Sequence, residues 1–177
     1  MSLGIEIVNA KDELIGVYND NLDKLNTGSA SFINDLRKDA INHFISLGIP
    51  TKRNEDYKYT DLHPSFLKEY HYQLEEPKVT FDIDEIFKCD IPELGTDAIL
   101  LLNGWYYKRN NRSLEILENG AIIGSLYHAA KEYPEIVEKH FGKYADPSKD
   151  GLTALNTAFS QDGIFFYVPD GVVIEKP

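Results

Sequence analysis

GLTALNTAFSQDGIFFYVPDGVVIEKP, Gly151 to Pro177, is the stretch on which the reading of this chain turns. Asp150 and Gly151 precede a short apolar-periodic helix, Leu152 to Phe159, which stops at Asp162-Gly163 and hands over to the apolar run Ile164 to Val168. A continuous apolar run bounded by turn residues suits a strand buried on both faces. Pro169-Asp170-Gly171 is a turn, since proline presets φ and glycine accepts positive φ. A second strand is expected from Val172 to Glu175. Two buried-type strands with nothing after them to cover them imply further protein downstream, in the same natural chain or in a partner. Part of the chemistry is then expected to lie outside this sequence.

Working outward, 177 residues suffice for one good core, burying about 70% of the unfolded surface. Hydrophobic residues at 42% and charged residues at 27% are those of a folded globular chain, not a disordered one. Eighteen Lys and Arg against 29 Asp and Glu leave a net charge of −11. That balance argues against sequence-independent nucleic-acid binding, which needs clustered cations to neutralise phosphates. Cys89 is the single cysteine, so no intrachain disulfide and no multi-cysteine metal site can form, and a reducing cytoplasmic setting is expected. The N-terminus has no basic flank followed by a long apolar core, so no signal peptide is expected, and no apolar run approaches a membrane span.

From Lys11 to Asn26, Leu14, Tyr18, Leu22 and Leu25 fall on one stripe of a helix. Ser31 is the expected N-cap of a second helix with Ile33, Leu36, Ala40, Phe44 and Leu47 inward, ended by Gly48 and Pro50. Gly48 to Leu62 alternates tyrosines with charges. It is expected to be a peripheral extended segment laying Tyr57 and Tyr59 on a helical surface, with Lys52, Arg53 and Lys58 paired to Glu55, Asp56 and Asp61 rather than forming an anion site. Asp61 would cap a brief helix through Leu67, with Pro64 in its first turn.

Glu75-Glu76-Pro77 is the expected boundary, beyond which Val79 to Phe81 is extended and an irregular acidic stretch runs to Gly95. Ala98 to Leu102 and Trp105 to Tyr107 flank Asn103-Gly104, a hairpin signal because both central residues of a type I′ turn need φ > 0. Leu114 to Leu117 and Ala121 to Ile123, joined through Asn119-Gly120, make a second pair. Helices from Leu126 to Tyr133 and Pro134 to Phe141, ended by Gly142, follow. The chain thus divides into a helical region (1–76), a mixed α/β region with hairpins (77–150) and a helix with the first strands of a further structure (151–177), an α+β fold.

Candidate metal chemistry is thin. Asp146-x-Ser148-x-Asp150-Gly151 imitates the first half of a calcium loop, but Thr157 stands where the bidentate glutamate belongs, so a helix cap is expected. Asp82-x-Asp84-Glu85 reads as a solvated edge. His43, His63, His71, His128 and His140 form no HxH or HxxxH pair, and Cys89 reads as a structural thiol. No glycine-rich phosphate loop or nucleophile elbow is present.

Gly48-Ile49-Pro50-Thr51 followed by Glu55-Asp56-Tyr57-Lys58-Tyr59-Thr60-Asp61-Leu62 resembles the signature GxPTxxxExWKYTxL of the SufB/SufD family of iron–sulphur cluster assembly proteins, with Tyr57 in place of the tryptophan. Leu101-Leu102-Asn103-Gly104, Ala154-Leu155-Asn156-Thr157-Ala158-Phe159 and Val168-Pro169-Asp170-Gly171-Val172 resemble the SufD branch, in the same order. The resemblance implies a non-catalytic scaffold component acting with SufB-like and SufC-like proteins, SufC being the ATPase. It also implies that the last residues enter a right-handed parallel β-helix, whose open end this region would cap. Tyr57, Tyr59 and Trp105 would then be packing residues. The family's cluster-binding and SufC-docking positions lie further along, so no catalytic, cofactor-binding or metal residue carries over to this sequence, and no cofactor is expected within it. Two other readings stay open: the start of a β-helix enzyme acting on acidic polysaccharide, and a self-contained interaction module using the Lys52 to Tyr59 surface.

Overall fold

The computed structural model describes residues 3–78, 99–107 and 112–175, with side chains from residue 10 onward. The chain forms two compact units, Met1–Leu74 with Tyr133–Gln161, and Glu75–Glu132 with Asp162–Pro177. The expected strand Val79 to Phe81, the acidic stretch to Gly95, Asp82-x-Asp84-Glu85 and Cys89 lie outside the described residues.

The first unit is helical. α1 (Leu3–Asp20) and α2 (Leu22–Asn26) replace the single helix expected over this stretch. The break falls at Asn21, whose side chain donates to Val17 O at 2.9 Å and whose backbone N–H reaches Tyr18 O at 3.3 Å. An asparagine that bonds back to the preceding turn competes with the helix ladder. Beyond the break the stripe is lost at Leu22, which is exposed, while Leu14, Tyr18 and Leu25 are buried.

α3 (Ser31–Leu47) follows. Its N-cap is Ala30 and not Ser31, with no side-chain bond, and Ala30 O receives the amides of Ile33 and Asn34. Its buried face is Ile33, Arg37, Ala40, Ile41 and Phe44. Leu36 is half-buried and Leu47 exposed, so the stripe is turned towards Arg37 and Ile41 relative to the expected one. Gly48 ends the helix with φ +70°, its N–H on Phe44 O at 2.8 Å. A 3₁₀ turn (Glu55–Tyr57), α4 (His63–Phe66), α6 (Pro134–His140) and α7 (Gly151–Ala158) complete the unit.

α3 and α7 make the most extensive helix–helix contact. The residues facing it are small: Ala40, Ala154 and Ala158 are fully buried, and Phe44, Ile41, Leu14, Tyr18 and Ile49 close round them. Phe159 meets the Tyr18 ring edge to face, centroids 5.8 Å apart. Such close approach lets every atom of the interface gain dispersion contacts.

In the second unit β1 (Leu101–Leu102) pairs antiparallel with β2 (Trp105–Tyr106) across Asn103-Gly104, with φ of 50° and 86°, the expected hairpin. β3 (Leu114–Ile116), β4 (Ile122–Ser125) and β5 (Ile164–Tyr167) form an antiparallel sheet in the order β3-β4-β5, and α5 (Leu126–Glu132) leaves directly from β4. β5 pairs with β4 in the register Ile123 to Phe166 and Gly124 to Phe165. It is not buried on both faces: Phe165 is covered, while Ile164 and Phe166 are 43% and 48% exposed. A run of four apolar residues hides which face is covered, and the one-sided sheet decides it. The turn after β5 is present, with Val172 N–H on Pro169 O at 3.1 Å, but residues 172–175 form no strand.

One carboxylate organises this unit. Asp162 Oδ1 accepts from Ser125 Oγ at 2.8 Å and from Tyr127 N–H at 3.0 Å, and Oδ2 accepts from Tyr106 N–H at 3.0 Å. It thereby joins the β4–α5 corner, the hairpin and the approach to β5.

The α3–α7 packing gives a paired prediction. A Cβ on Gly151 would stand 1.9 Å from Gly48 O, whereas one on Gly16, within α1, meets nothing within 4 Å. Gly151→Ala is expected to destabilise by about 3 kcal/mol or more through overpacking, and Gly16→Ala to stabilise by about 0.5–1 kcal/mol through helix propensity. Urea unfolding of the two variants checks both signs.

Candidate functional site

The Gly48–Leu62 segment lies against the start of α7. It is not extended. Thr51 N–H donates to Asn54 Oδ1 and Asn54 N–H to Thr51 O, both at 2.9 Å, closing a tight turn that runs into the 3₁₀ turn. That coil directs Tyr57 inward and Tyr59 outward. Tyr57 O–H donates to Asp150 Oδ2 at 2.8 Å, and Asp150 Oδ1 accepts from Thr153 N–H at 2.7 Å. Asp150 is therefore both the N-cap of α7 and the anchor of the tyrosine. Beside it, Gly151 abuts the Gly48 carbonyl and Pro50. The first and last parts of the segment thus clasp one end of α7.

Tyr59 departs from its expected packing role: it is 91% exposed, with Lys58 Nζ 5.2 Å from its ring centroid. Trp105 is half-buried on β2. Lys52 pairs with Asp61 at 3.0 Å and Lys58 with Glu55. Asp61 also accepts from His63 N–H at 3.2 Å, one residue before the N-cap of α4, which is Leu62 and not the expected Asp61; the helix carries Pro64 in its first turn. These cations are held by local carboxylates, the arrangement of a solvated surface.

The half calcium loop is likewise occupied by its own bonds. Asp146 Oδ1 accepts from Ser148 N–H at 2.9 Å and Ser148 Oγ at 2.6 Å, Asp146 Oδ2 faces Lys149 at 3.4 Å, and Asp150 caps α7. Among the described residues no group of three or more His, Cys, Asp or Glu is placed to hold a metal ion. The histidines lie apart: His63 is on α4, His128 stacks edge-on to Tyr127, and His140 contacts the Tyr144 hydroxyl. An open groove of about 320 Å³ is lined by Ala10, Glu13, Phe66, Leu67, Lys68, Glu69 and Tyr70. Near it Tyr72 O–H donates to Glu13 at 3.0 Å.

Arg37 is the residue that sequence reasoning missed. It is 1% exposed, with Nη1 donating to Asn26 Oδ1 at 3.1 Å and Asn34 Oδ1 at 2.7 Å, and Nη2 to Ser160 O at 2.7 Å. Three neutral oxygens from the end of α2, the start of α3 and the end of α7 receive one buried cation. Charge-assisted bonds of this kind offset part of the cost of taking a guanidinium out of water. Its position one residue from the expected stripe is the signal that could have placed it inward.

Burial and the bond to the Asp150 carboxylate push the Tyr57 phenol up to about 12. Burial tends to raise Asp150, but the Thr153 amide and the Tyr57 hydroxyl outweigh it and hold the carboxyl below its ordinary value. A raised phenol contributes stability that is complete below its unfolded value of 10 and fades as pH climbs towards about 12. A depressed carboxyl contributes stability above its unfolded value, lost as pH falls through the lower folded one. Tyr57→Phe is expected to cost about 1 kcal/mol at neutral pH and to reduce the wild-type loss of stability between pH 10 and 12, the remainder belonging to Tyr18, Tyr72 and Tyr106, whose phenols burial also raises, as read by thermal unfolding across that range. An unchanged alkaline profile would show that the bond contributes nothing.

Among the described residues no helix is long and apolar enough to cross a membrane. Comparison with known proteins places these features in a context. The profile of the SufBD protein N-terminal region matches residues 8–177. The iron–sulphur cluster assembly protein SufB of Bacillus subtilis (strain 168) is 28% identical over 154 residues, 81% of this chain and 32% of the relative. The SufD protein of the same organism is 40% identical over 68 residues, 37% of this chain and 15% of the relative. The chain spans about a third or less of the length of these relatives. No solved structure matches it. With the profile covering nearly all of its length, the chain belongs to the SufBD family of iron–sulphur cluster assembly proteins.

Proposed function

We propose that this chain is the N-terminal part of a SufD-like scaffold component, non-catalytic and cytoplasmic, that acts with SufB-like and SufC-like proteins in iron–sulphur cluster assembly. The profile match over residues 8–177 carries this reading. The SufD assignment draws on the 40% identity to the Bacillus SufD over 68 residues, alongside the longer 28% match to SufB. Within that role the region caps the end of a downstream right-handed parallel β-helix.

Two observations support the capping role. β5 is an edge strand among the described residues, with β4 on one side. Its register places Phe166 opposite Ile123, so Ile164, Phe166 and Ile123 share the sheet face opposite to buried Ile122 and Phe165. An open edge beside exposed apolar side chains is a surface that a folded protein ordinarily covers. The residues that follow β5 are where the next layer would begin. Tyr57 and Trp105 then serve the cap by holding its own units in shape, and iron or cluster ligands come from the rest of the protein.

Phe166→Lys separates this reading from a merely exposed strand. In the present chain the substitution is expected to change stability by no more than about 0.5 kcal/mol, as at other half-exposed sites. In the full-length natural protein it is expected to cost about 3 kcal/mol or more, because the charge is buried unpaired, and to reduce co-purification with the SufB-like and SufC-like partners. Equal small effects in both proteins, measured by thermal unfolding and pull-down, would remove the capping role.

A further inference from the structure

The second unit contains two Asn-Gly pairs, and their turns treat the reactive atoms differently. At Asn119-Gly120, the Gly120 N–H donates to Leu117 O at 2.9 Å and Asn119 Oδ1 accepts from Ala121 N–H at 3.1 Å. Backbone nitrogen and side-chain amide are both engaged. At Asn103-Gly104 the bonds lie on either side of the pair: Leu102 is matched to Trp105, and Tyr107 N–H donates to Leu100 O at 2.9 Å. Among the described residues the Gly104 N–H has no acceptor and the Asn103 amide no partner, and both residues are exposed. A Cβ at Gly104 would meet nothing within 4 Å, so water reaches the tip freely.

The hairpin itself is two residues per strand, a length that is marginal alone. Its anchor, the Tyr106 N–H on Asp162, lies away from the tip. Excursions of the tip from its type I′ geometry therefore leave that anchor intact, and local opening of this kind costs less than global unfolding.

We infer that Asn103 is a self-modification site, converted to aspartate and isoaspartate in the folded protein while Asn119 is spared. The Gly104 nitrogen attacks Asn103 Cγ, forming the N–Cγ bond of a five-membered imide. The Cγ–Nδ2 bond breaks and ammonia leaves, taking up the proton lost by Gly104 nitrogen. Water then opens the imide at either carbonyl, so no oxidant or reductant is needed. Each product adds one negative charge to a chain already at −11. The isoaspartate form also lengthens the backbone by a methylene at a position where Asn103 holds φ at 50°, which the two-residue turn cannot accommodate.

The full 177-residue chain is incubated at mildly alkaline pH, with and without urea, and its peptides are mapped by mass and by isoaspartate detection. In the folded chain Asn103 is expected to convert about tenfold faster than Asn119, the factor that the two hydrogen bonds at the second turn would hold back. In urea both convert at similar rates, since glycine follows each. Asn103→Gln removes the early acidic species and leaves the slow one. Trp105, the single tryptophan, reports disruption of the turn as a change in fluorescence that tracks conversion in the wild type and is absent in that variant. The proposal is overturned if Asn119 converts as fast as Asn103 in the folded chain. It is equally overturned if both sites stay intact there over the time in which urea exposes both to reaction.

Discussion

The close approach of Gly151 to the Gly48 carbonyl is the constraint on which the helical unit depends. It fixes where α7 begins against the end of α3, and the small residues that follow, Ala154 and Ala158 against Ala40, let the helices stay close along their length. Asp150 then does two things with one carboxylate, capping α7 and receiving Tyr57. At the other end of α7, Ser160 O is held by Arg37. The helix is thus fixed at its start by a steric fit and a neutral-to-charged hydrogen bond, and at its finish by a buried cation. The apolar contact between these ends is non-directional, so polar bonds at both ends supply the register it lacks.

What the sequence makes legible here is local. Apolar spacing yields α3 and α7 within a residue or so, and turn chemistry gives the hairpin at Asn103-Gly104 and the helix stop at Gly48. Where readings failed, a tertiary neighbour had intervened. Arg37 lies one position from the expected apolar stripe, which hints at burial, but the oxygens of Asn26, Asn34 and Ser160 that make a buried guanidinium tolerable converge on it only in the folded chain. Leu47 fits the period but is exposed in the last turn of the helix, where the buried face has turned towards Ile41 and Phe44. Ile164 to Tyr167 is apolar throughout, so alternation, the usual sign of a one-sided strand, is missing from its letters. Asn21 breaks a helix that its neighbours would continue, through a side chain that bonds backwards.

The candidate site shows the same division. That Tyr57 packs and that the lysines pair locally could be read from residue types, since short-range charge neighbours are visible in a linear sequence. Its partner could not, because Asp150 is 93 positions away. The Gly48–Leu62 segment therefore has a physical account: its glycine, proline and tyrosine shape the seat of a helix, and its charges solvate the outside. A tyrosine at the aromatic position keeps a ring and gains a hydroxyl, and the hydroxyl is the part that reaches the cap of α7.

The helical unit is assembled from two stretches, Met1–Leu74 and Tyr133–Gln161, with the first part of the second unit, Glu75–Glu132, between them in the sequence. On a ribosome the first stretch emerges with Arg37, Phe44 and the Gly48 turn already made but with α7 still unsynthesised. Its apolar face and its cation must wait, in water or on a chaperone, for about eighty further residues, some seconds at ordinary rates of translation. Contacts so distant along the chain slow folding through the entropy of closing the intervening loop. The hydrophilic surface and the strong acidity of the chain then matter most before the fold is complete, when mutual repulsion keeps half-made copies of this unit from finding one another.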